Sequence, residues 1–366
     1  MQESLLSQRI ERLRTTLDQN GMRTAILSRP QHVYYFSGVM PGASPALLII
    51  TQNRMLGIAP IALGTIETIL YSDYDIQHGW NVSEAVGQAL EKALNSCFPL
   101  GRVVGLELDH FPAVWMPVAL RHLREPRNLK EILWYTRRIK DAFEIQQIQT
   151  NIAGNDRMFQ AVQDTLRPGI SEWDVWAVIQ NTLNRNAGEP VLLEADLGVG
   201  AHSSNSEAKP GPDRLRLGDI VFVDVYSATH YYYADTTRVF VLGEPNPRQC
   251  QVHSILEAAL KAGESRLKAG MPANQVDSAV RGVIEQAGFG PNFPHHSGHA
   301  YGLFQQEKPY LIPAESCPLE TGMVVTLEPG IYIPGWGGMR LEGNYLIGPE
   351  SAQRIDQYPS ELIVCG

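Results

Sequence analysis

Five residues in the C-terminal part of the chain, Asp224, Asp235, His299, Glu328 and Glu342, are of the types that hold divalent metal ions. Their spacing makes them converge. Asp224 and Asp235 stand eleven residues apart in DIVFVDVYSATHYYYADTTRVF, on two runs rich in β-branched and aromatic residues. If the chain reverses at the midpoint, between Thr229 and His230, the two aspartates lie directly opposite each other on one face of an antiparallel pair. Glu328 and Glu342 are symmetric about Gly335, inside the turn-rich PGWGG. Two hairpins would then each present a pair of carboxylates. Four carboxylates on one face cannot all ionise without cations. His299 completes a mostly oxygen site with one nitrogen, a donor set suited to manganese, iron, cobalt or zinc.

The elements that must position these residues follow from pattern. Helices are expected over roughly 142–166 and 172–187, separated by Pro168-Gly169, with Ser171 as N-cap of the second. Strands and hairpins dominate from about 190, interrupted by a helical stretch at 247–288. There is no internal sequence repeat, but the two carboxylate hairpins suggest a structural pseudo-repeat. Upstream, Leu5, Ile10, Leu13 and Leu17 mark an amphipathic helix that Gly21 ends. TAILS, VYYFSG, ALLIITQ and RMLGIAP read as strands, and a helix through VGQALEKAL precedes a further strand, RVVGLELD. This alternation predicts a small α/β domain. A boundary near EPRNLKEILWYTRRIKDAFEIQQIQ divides the chain into residues 1–135 and 136–366.

A length of 366 residues suits two domains, and a net charge of −9 excludes nucleic acid as a main partner. Cys97, Cys250, Cys317 and Cys365 show no CxxC spacing and read as free thiols of a reducing compartment. The first residues are charged throughout, unlike a signal peptide, and no apolar run reaches the ~18 residues of a membrane span. The expectation is a soluble cytoplasmic protein.

The stretches GDIVFVDV, YADTTRVF, HHSGHAYGL, TLEPGIYIPGWGG and MRLE, in that order, resemble the creatinase/aminopeptidase superfamily of metallohydrolases with the pita-bread fold, near aminopeptidase P and prolidase. The resemblance implies an α/β (α+β) chain: a small creatinase-like N-terminal domain, then a pita-bread domain with a curved antiparallel sheet covered by helices. It implies two divalent ions, manganese foremost, with cobalt, zinc or iron also compatible. Asp235 and Glu342 would bridge them, Asp224 would bind one, and His299 and Glu328 the other. A hydroxide held between the ions would attack an amide carbonyl, with Glu328 as proton carrier. His295 matches a histidine lining the substrate pocket, Arg340 an arginine near the site, and Thr237 a residue able to hydrogen-bond a ligand carboxylate. His296 matches no family role. The implied activity is that of an Xaa-Pro aminopeptidase or Xaa-Pro dipeptidase, working as a homodimer on peptides.

Three departures from the family pattern bear on the substrate. Glu207 or Ala208 stands near the place of a histidine that donates to the oxyanion or leaving group, and His202 is the only histidine close by. Gln306 stands where proline-specific relatives carry a histidine; an amide donates hydrogen bonds but carries no proton at neutral pH. Gly343 replaces an acidic residue after the last glutamate. A metal-dependent small-molecule amidohydrolase on the same scaffold therefore stays open beside the peptidase, as does a non-catalytic peptide-binding protein.

Overall fold

The structure, a computed structural model, describes residues 3–76, 79–96 and 99–366. It divides into two compact units, Met1–Arg137 and Arg138–Gly366. Cys250, Cys317 and Cys365 are free thiols, and Cys97 lies outside the described residues. Among the described residues no helix is long and apolar enough to cross a membrane.

The first unit opens with helix α1 (Glu3–Gln19), which buries Leu13 and Leu17. Strand β1 (Thr24–Leu27) and helix α2 (Pro30–Ser37) follow, then β2 (Leu47–Thr51), β3 (Met55–Ala59), β4 (Thr68–Leu70) and a short hairpin of β5 (Tyr74–Asp75) and β6 (Gly79–Trp80). The unit is completed by α3 (Val82–Ser96), β7 (Val103–Leu106), α4 (Met116–His122), β8 (Glu125–Asn128) and α5 (Lys130–Arg137). Six strands form one mixed sheet in the order β4-β3-β2-β1-β7-β8, as the α/β pattern predicts. One segment differs. VYYFSG, expected as a strand, lies in α2. Pro30 presets the first helical turn, Gly38 closes the last with a left-handed φ of 75°, and His32 to Ser37 are all buried. A helix buried all round has no amphipathic period, so its β-branched and aromatic content misleads.

The second unit begins with α6 (Ala142–Thr165) and α7 (Glu172–Ala187). Both start in capping boxes, Asp141 with Glu144 and Ser171 with Asp174, so the predicted Ser171 cap is present. Strands β9 (Leu192–Val199), β10 (Ile220–Thr229) and β11 (Tyr232–Leu242) come next, followed by helices α8 (Pro247–Glu264) and α9 (Ala273–Gln286). The chain ends in β12 (His299–Ala300), β13 (Glu307–Tyr310), β14 (Val324–Leu327), β15 (Gly330–Ile333), β16 (Gly337–Arg340), β17 (Gly343–Ile347), β18 (Ala352–Arg354) and β19 (Ile363–Cys365). One sheet has the order β19-β11-β10-β9 and a second β13-β12-β14-β17-β18, with β15 and β16 as a separate ribbon. Each large sheet is backed by its own helix pair. Phe159, Val175 and Ile179 of α6 and α7 pack with Val221, Val223 and Phe240. Val252, Leu256, Val276 and Val280 of α8 and α9 pack with Val325 and Leu327. Burial of each such side chain contributes about 1.5–3 kcal/mol. The helices cover the outer faces, and the remaining faces carry the charged residues described next.

Candidate metal centre

The hairpin of β10 and β11 turns at His230 and Tyr231, which have φ of 50° and 65°. Two left-handed residues in a two-residue loop make a type I′ turn, whose twist matches the strands. This corrects the expected pairing. The turn is one residue later than the midpoint of the aspartates, so Asp224 faces Thr237 and Asp235 faces Tyr226. The aspartates are diagonal neighbours two positions out of register. An offset of two keeps both on one face, because side chains alternate with period two.

The glutamate pair follows its expected register. Gly330 faces Arg340 in the ribbon, and Leu327 faces Gly343 in the adjoining ladder. Glu328 and Glu342 sit between these two ladders, across from each other. Leu341 N–H donates to the Pro329 carbonyl there at 3.1 Å. Gly343 also has a reason to be glycine. A Cβ at that position would lie 2.4 Å from the Tyr345 hydroxyl oxygen, so an aspartate would displace that ring.

These elements gather the five predicted residues. Oxygens of Asp224, Asp235 and Glu342 lie within 4.8 Å of one another. His299 Nε2 lies 3.4 Å from Asp235 Oδ2 and 3.4 Å from Glu328 Oε1. All five side chains are buried. Nδ1 of His299 is 3.0 Å from the Ala300 carbonyl, which only accepts, so Nδ1 carries a proton and Nε2 is the nitrogen directed at the carboxylates. Thr237 Oγ1 donates to Glu342 Oε2 at 2.9 Å.

Charge in this centre is unbalanced. Arg340 pairs with Asp224, and Lys209 Nζ is 2.6 Å from Asp196 Oδ1. Asp224 Oδ1, Asp235 Oδ2 and Glu342 Oε1 are buried and make no hydrogen bond. Burial, with the negative charge of Asp224 and Glu328 beside it, pushes the Asp235 carboxyl far above its ordinary range. Burial and the three neighbouring carboxylates do the same to Glu342. Burial opposes ionisation of Glu328 too, but His296, His299 and Arg340 outweigh it and hold that carboxyl well below its ordinary range. Buried, unpaired carboxylate oxygens facing one point are what divalent cations answer. The donor set fits the ions expected from sequence: Asp224, Asp235 and Glu342 on one side, His299 and Glu328 on the other, with Asp235 adjoining both.

A polar cavity of about 240 Å³ opens above the centre, lined by Glu328, Arg340, His295, His296, Gln306 and Glu207 among others. His295 Nε2 is 3.1 Å from the Tyr332 hydroxyl, and burial pushes its ring down to about 4. Arg340 Nη1 is 3.1 Å from that same hydroxyl, so Arg340 spans the Asp224 carboxylate and the cavity wall. His202 is placed elsewhere. Its Nδ1 is 2.8 Å from Glu172 Oε1, and that carboxylate also accepts the Val199 and Gly211 N–H groups. The loop turns Glu207 to the cavity instead.

Three residues with a part in this site were given no role from sequence. His296, which matches no family role, has its Nδ1 3.2 Å from Glu328 Oε1. Tyr226 donates to Asp224 Oδ2 and is 3.2 Å from Asp196 Oδ2. Asp196 faces Asp224 across β9 and β10. Period-two spacing from Asp224 would have found Tyr226; the other two carry no local signal.

Comparisons with known proteins identify the family. The family model for metallopeptidase family M24 matches residues 146–349, and that for the creatinase/prolidase N-terminal domain matches residues 9–139. The Xaa-Pro dipeptidase of Pyrococcus furiosus is 27% identical over 98% of this chain and 100% of its own length. The probable dipeptidase PepE of Mycobacterium tuberculosis is 34% identical over 70% of this chain and 68% of its own. The solved Xaa-Pro dipeptidase from Bacillus anthracis superposes with a TM-score of 0.87 at 25% identity, covering 98% of this chain and 99% of that one.

Proposed function

We propose, for a chain that belongs to metallopeptidase family M24, that it is a two-metal Xaa-Pro dipeptidase, hydrolysing the amide bond before proline. The observation that carries this is the set of three buried carboxylate oxygens without hydrogen bonds, converging with His299 Nε2 beneath a polar cavity. Full-length relatives that are Xaa-Pro dipeptidases support the substrate class.

Asp235 and Glu342 would be shared between two ions, with Asp224 on one and His299 and Glu328 on the other. When bound, the ions would lower the pKa of a water between them and polarise the scissile carbonyl. The chain's own residues do the rest. Arg340 fixes Asp224, Thr237 fixes one oxygen of Glu342, and the Ala300 carbonyl fixes the His299 tautomer. Glu328 would take the proton of the attacking water through one of its oxygens and return it to the proline nitrogen as it leaves. His296, at 3.2 Å, holds that carboxylate in place. Gln306 and His295 line the space that the two residues of the substrate would fill. Manganese as the native ion, a homodimer and a cytoplasmic setting belong to the same proposal.

One observation favours a second reading. Every described residue lining the cavity is polar, with Glu194, Glu207 and Lys209 at its wall, which suits a polar amide better than a prolyl ring. Proline release from Ala-Pro and from a longer Ala-Pro peptide, with manganese-loaded and chelated protein, separates the readings. Chelator-sensitive turnover favouring Ala-Pro is expected. Metal binding with no turnover of either peptide would point to the small-molecule amidohydrolase. Chelated protein that is fully stable and binds no metal would leave only a non-catalytic peptide-binding role.

A further inference from the structure

Asn344 is fully buried on β17, two residues beyond Glu342. Its amide nitrogen donates to the backbone carbonyl of Asp235 at 2.8 Å and lies 3.4 Å from Thr236 Oγ1. Its amide oxygen accepts from the Tyr301 hydroxyl at 2.6 Å, and Tyr301 is two residues beyond His299. Its backbone N–H donates to Asp356 Oδ1 at 2.7 Å. Across the ladder it faces Thr326, whose Oγ1 accepts from His299 N–H at 3.3 Å and lies 3.5 Å from Glu328 Oε1. One residue thus ties together the segments that carry Asp235, His299, Glu328 and Glu342. Its orientation is determined. A carbonyl only accepts, so the amide nitrogen must face Asp235, and the Tyr301 hydroxyl must then donate.

We propose that Asn344 is a positioning residue that sets the separation of the Asp235 and His299 strands and thereby the affinity for the ion they share. The inference rests on the two-metal reading of the centre. An ion held by both side chains needs each donor within about 0.2 Å of its bonding distance. A strand shift too small to unfold the sheet is therefore large enough to lose the ion. Asparagine suits this position for a chemical reason. Leucine would leave a buried carbonyl and a buried hydroxyl unpaired. Aspartate would set a charge against the Asp235 carbonyl, beside carboxylates already in excess.

The test is titration of chelator-stripped full-length protein with manganese(II), followed by calorimetry and by electron paramagnetic resonance, with a thermal melt of each apo protein. Wild type should take up two ions with an exchange-coupled spectrum. Asn344→Leu should bind one of the two about 10–100-fold more weakly and show the spectrum of isolated manganese. Tyr301→Phe removes only the hydroxyl, keeps the Asn344 bond to Asp235 and should weaken the same ion by a smaller factor. It decides the question if Asn344→Leu does not fold. Wild type binding fewer than two ions would overturn the two-metal reading and this proposal together. Two ions in wild type, with unchanged affinity and coupling in the folded variants, would overturn the role of Asn344 alone.

Discussion

Replacing Asp235 by asparagine should make the chelated protein more stable while abolishing its response to metal. Asp235 is 1% exposed, its Oδ2 makes no hydrogen bond, and Asp224 and Glu328 lie close enough to push its carboxyl further up after burial has done so. A carboxyl raised in the folded state stabilises the fold below its ordinary value and costs stability as pH rises. At neutral pH without metal, Asp235 is therefore a net liability. The effective penalty of burying an uncompensated charge is several kcal/mol, and we take on the order of 3 kcal/mol here. Asparagine keeps the shape, drops the charge and offers an N–H₂ to the unpaired oxygens of Asp224 and Glu342. For a unit of this size the gain corresponds to about 6–12 °C in melting temperature. Metal reverses the ranking of responses. At a hundredfold excess over its dissociation constant, each ion adds about 2.7 kcal/mol to wild type. On the two-metal reading the variant has lost one of the two ligands shared by both ions and should gain almost nothing. Four calorimetric melts, wild type and Asp235→Asn in chelator and in manganese, contain the whole prediction. A variant that melts lower than wild type in chelator, or rises with manganese as wild type does, would refute the electrostatic reasoning.

Two further outcomes concern the rest of the fold. Glu107 accepts from the Ser28 and Arg29 N–H groups and from His32 Nδ1; burial opposes its charge, yet these donors hold it at about 2. A carboxyl depressed in the folded state stabilises above its ordinary value and loses that stability as pH falls through the folded one, here on the order of 3 kcal/mol between about pH 4.5 and 2. Burial also lowers His32, which adds to the loss in acid, below its ordinary 6.5. Glu107→Gln should flatten the acid dependence of hydrogen exchange at β1 and β7, and an unchanged slope would show the charge lies elsewhere. Gly263→Ala would place a Cβ 2.6 Å from Val280 Cγ2 and 3.0 Å from Leu327 Cδ1. Overpacking there should cost about 1–3 kcal/mol in a thermal melt, and the Val280→Ala partner change should restore part of it.

What the sequence made legible depends on how local the cause is. The α7 start is readable because a capping residue and its partner three positions on are a local chemical signal, Ser171 with Asp174. The glutamate register was readable because PGWGG can only be a turn, and Gly335 takes a left-handed φ of 77° at its centre. The aspartate turn was misplaced because His230 and Tyr231 hold left-handed angles that neither residue type advertises. Helix α2 was misread because its burial comes from the surrounding sheet and helices rather than from its own periodicity.

The same distinction explains why the ligand set was easier to read than the pocket. A strand carries its side chains with period two, so only parity matters for which face a ligand joins. The error at the aspartate hairpin amounted to two positions in register, which preserves parity, and Asp224 and Asp235 still meet Glu342. A slip of one would have sent Asp235 to the opposite face. Loops have no such period. In the loop after β9, His202 and Glu207 are five residues apart, and nothing local says which one turns to the cavity. The choice is made by Glu172, thirty residues earlier in sequence, whose buried carboxylate takes the His202 ring and the N–H groups of Val199 and Gly211. A long-range carboxylate decides which loop side chain lines the cavity. The ions the centre holds and the substrate it accepts are therefore separable properties of this chain, one written in strand parity and the other in contacts between distant segments.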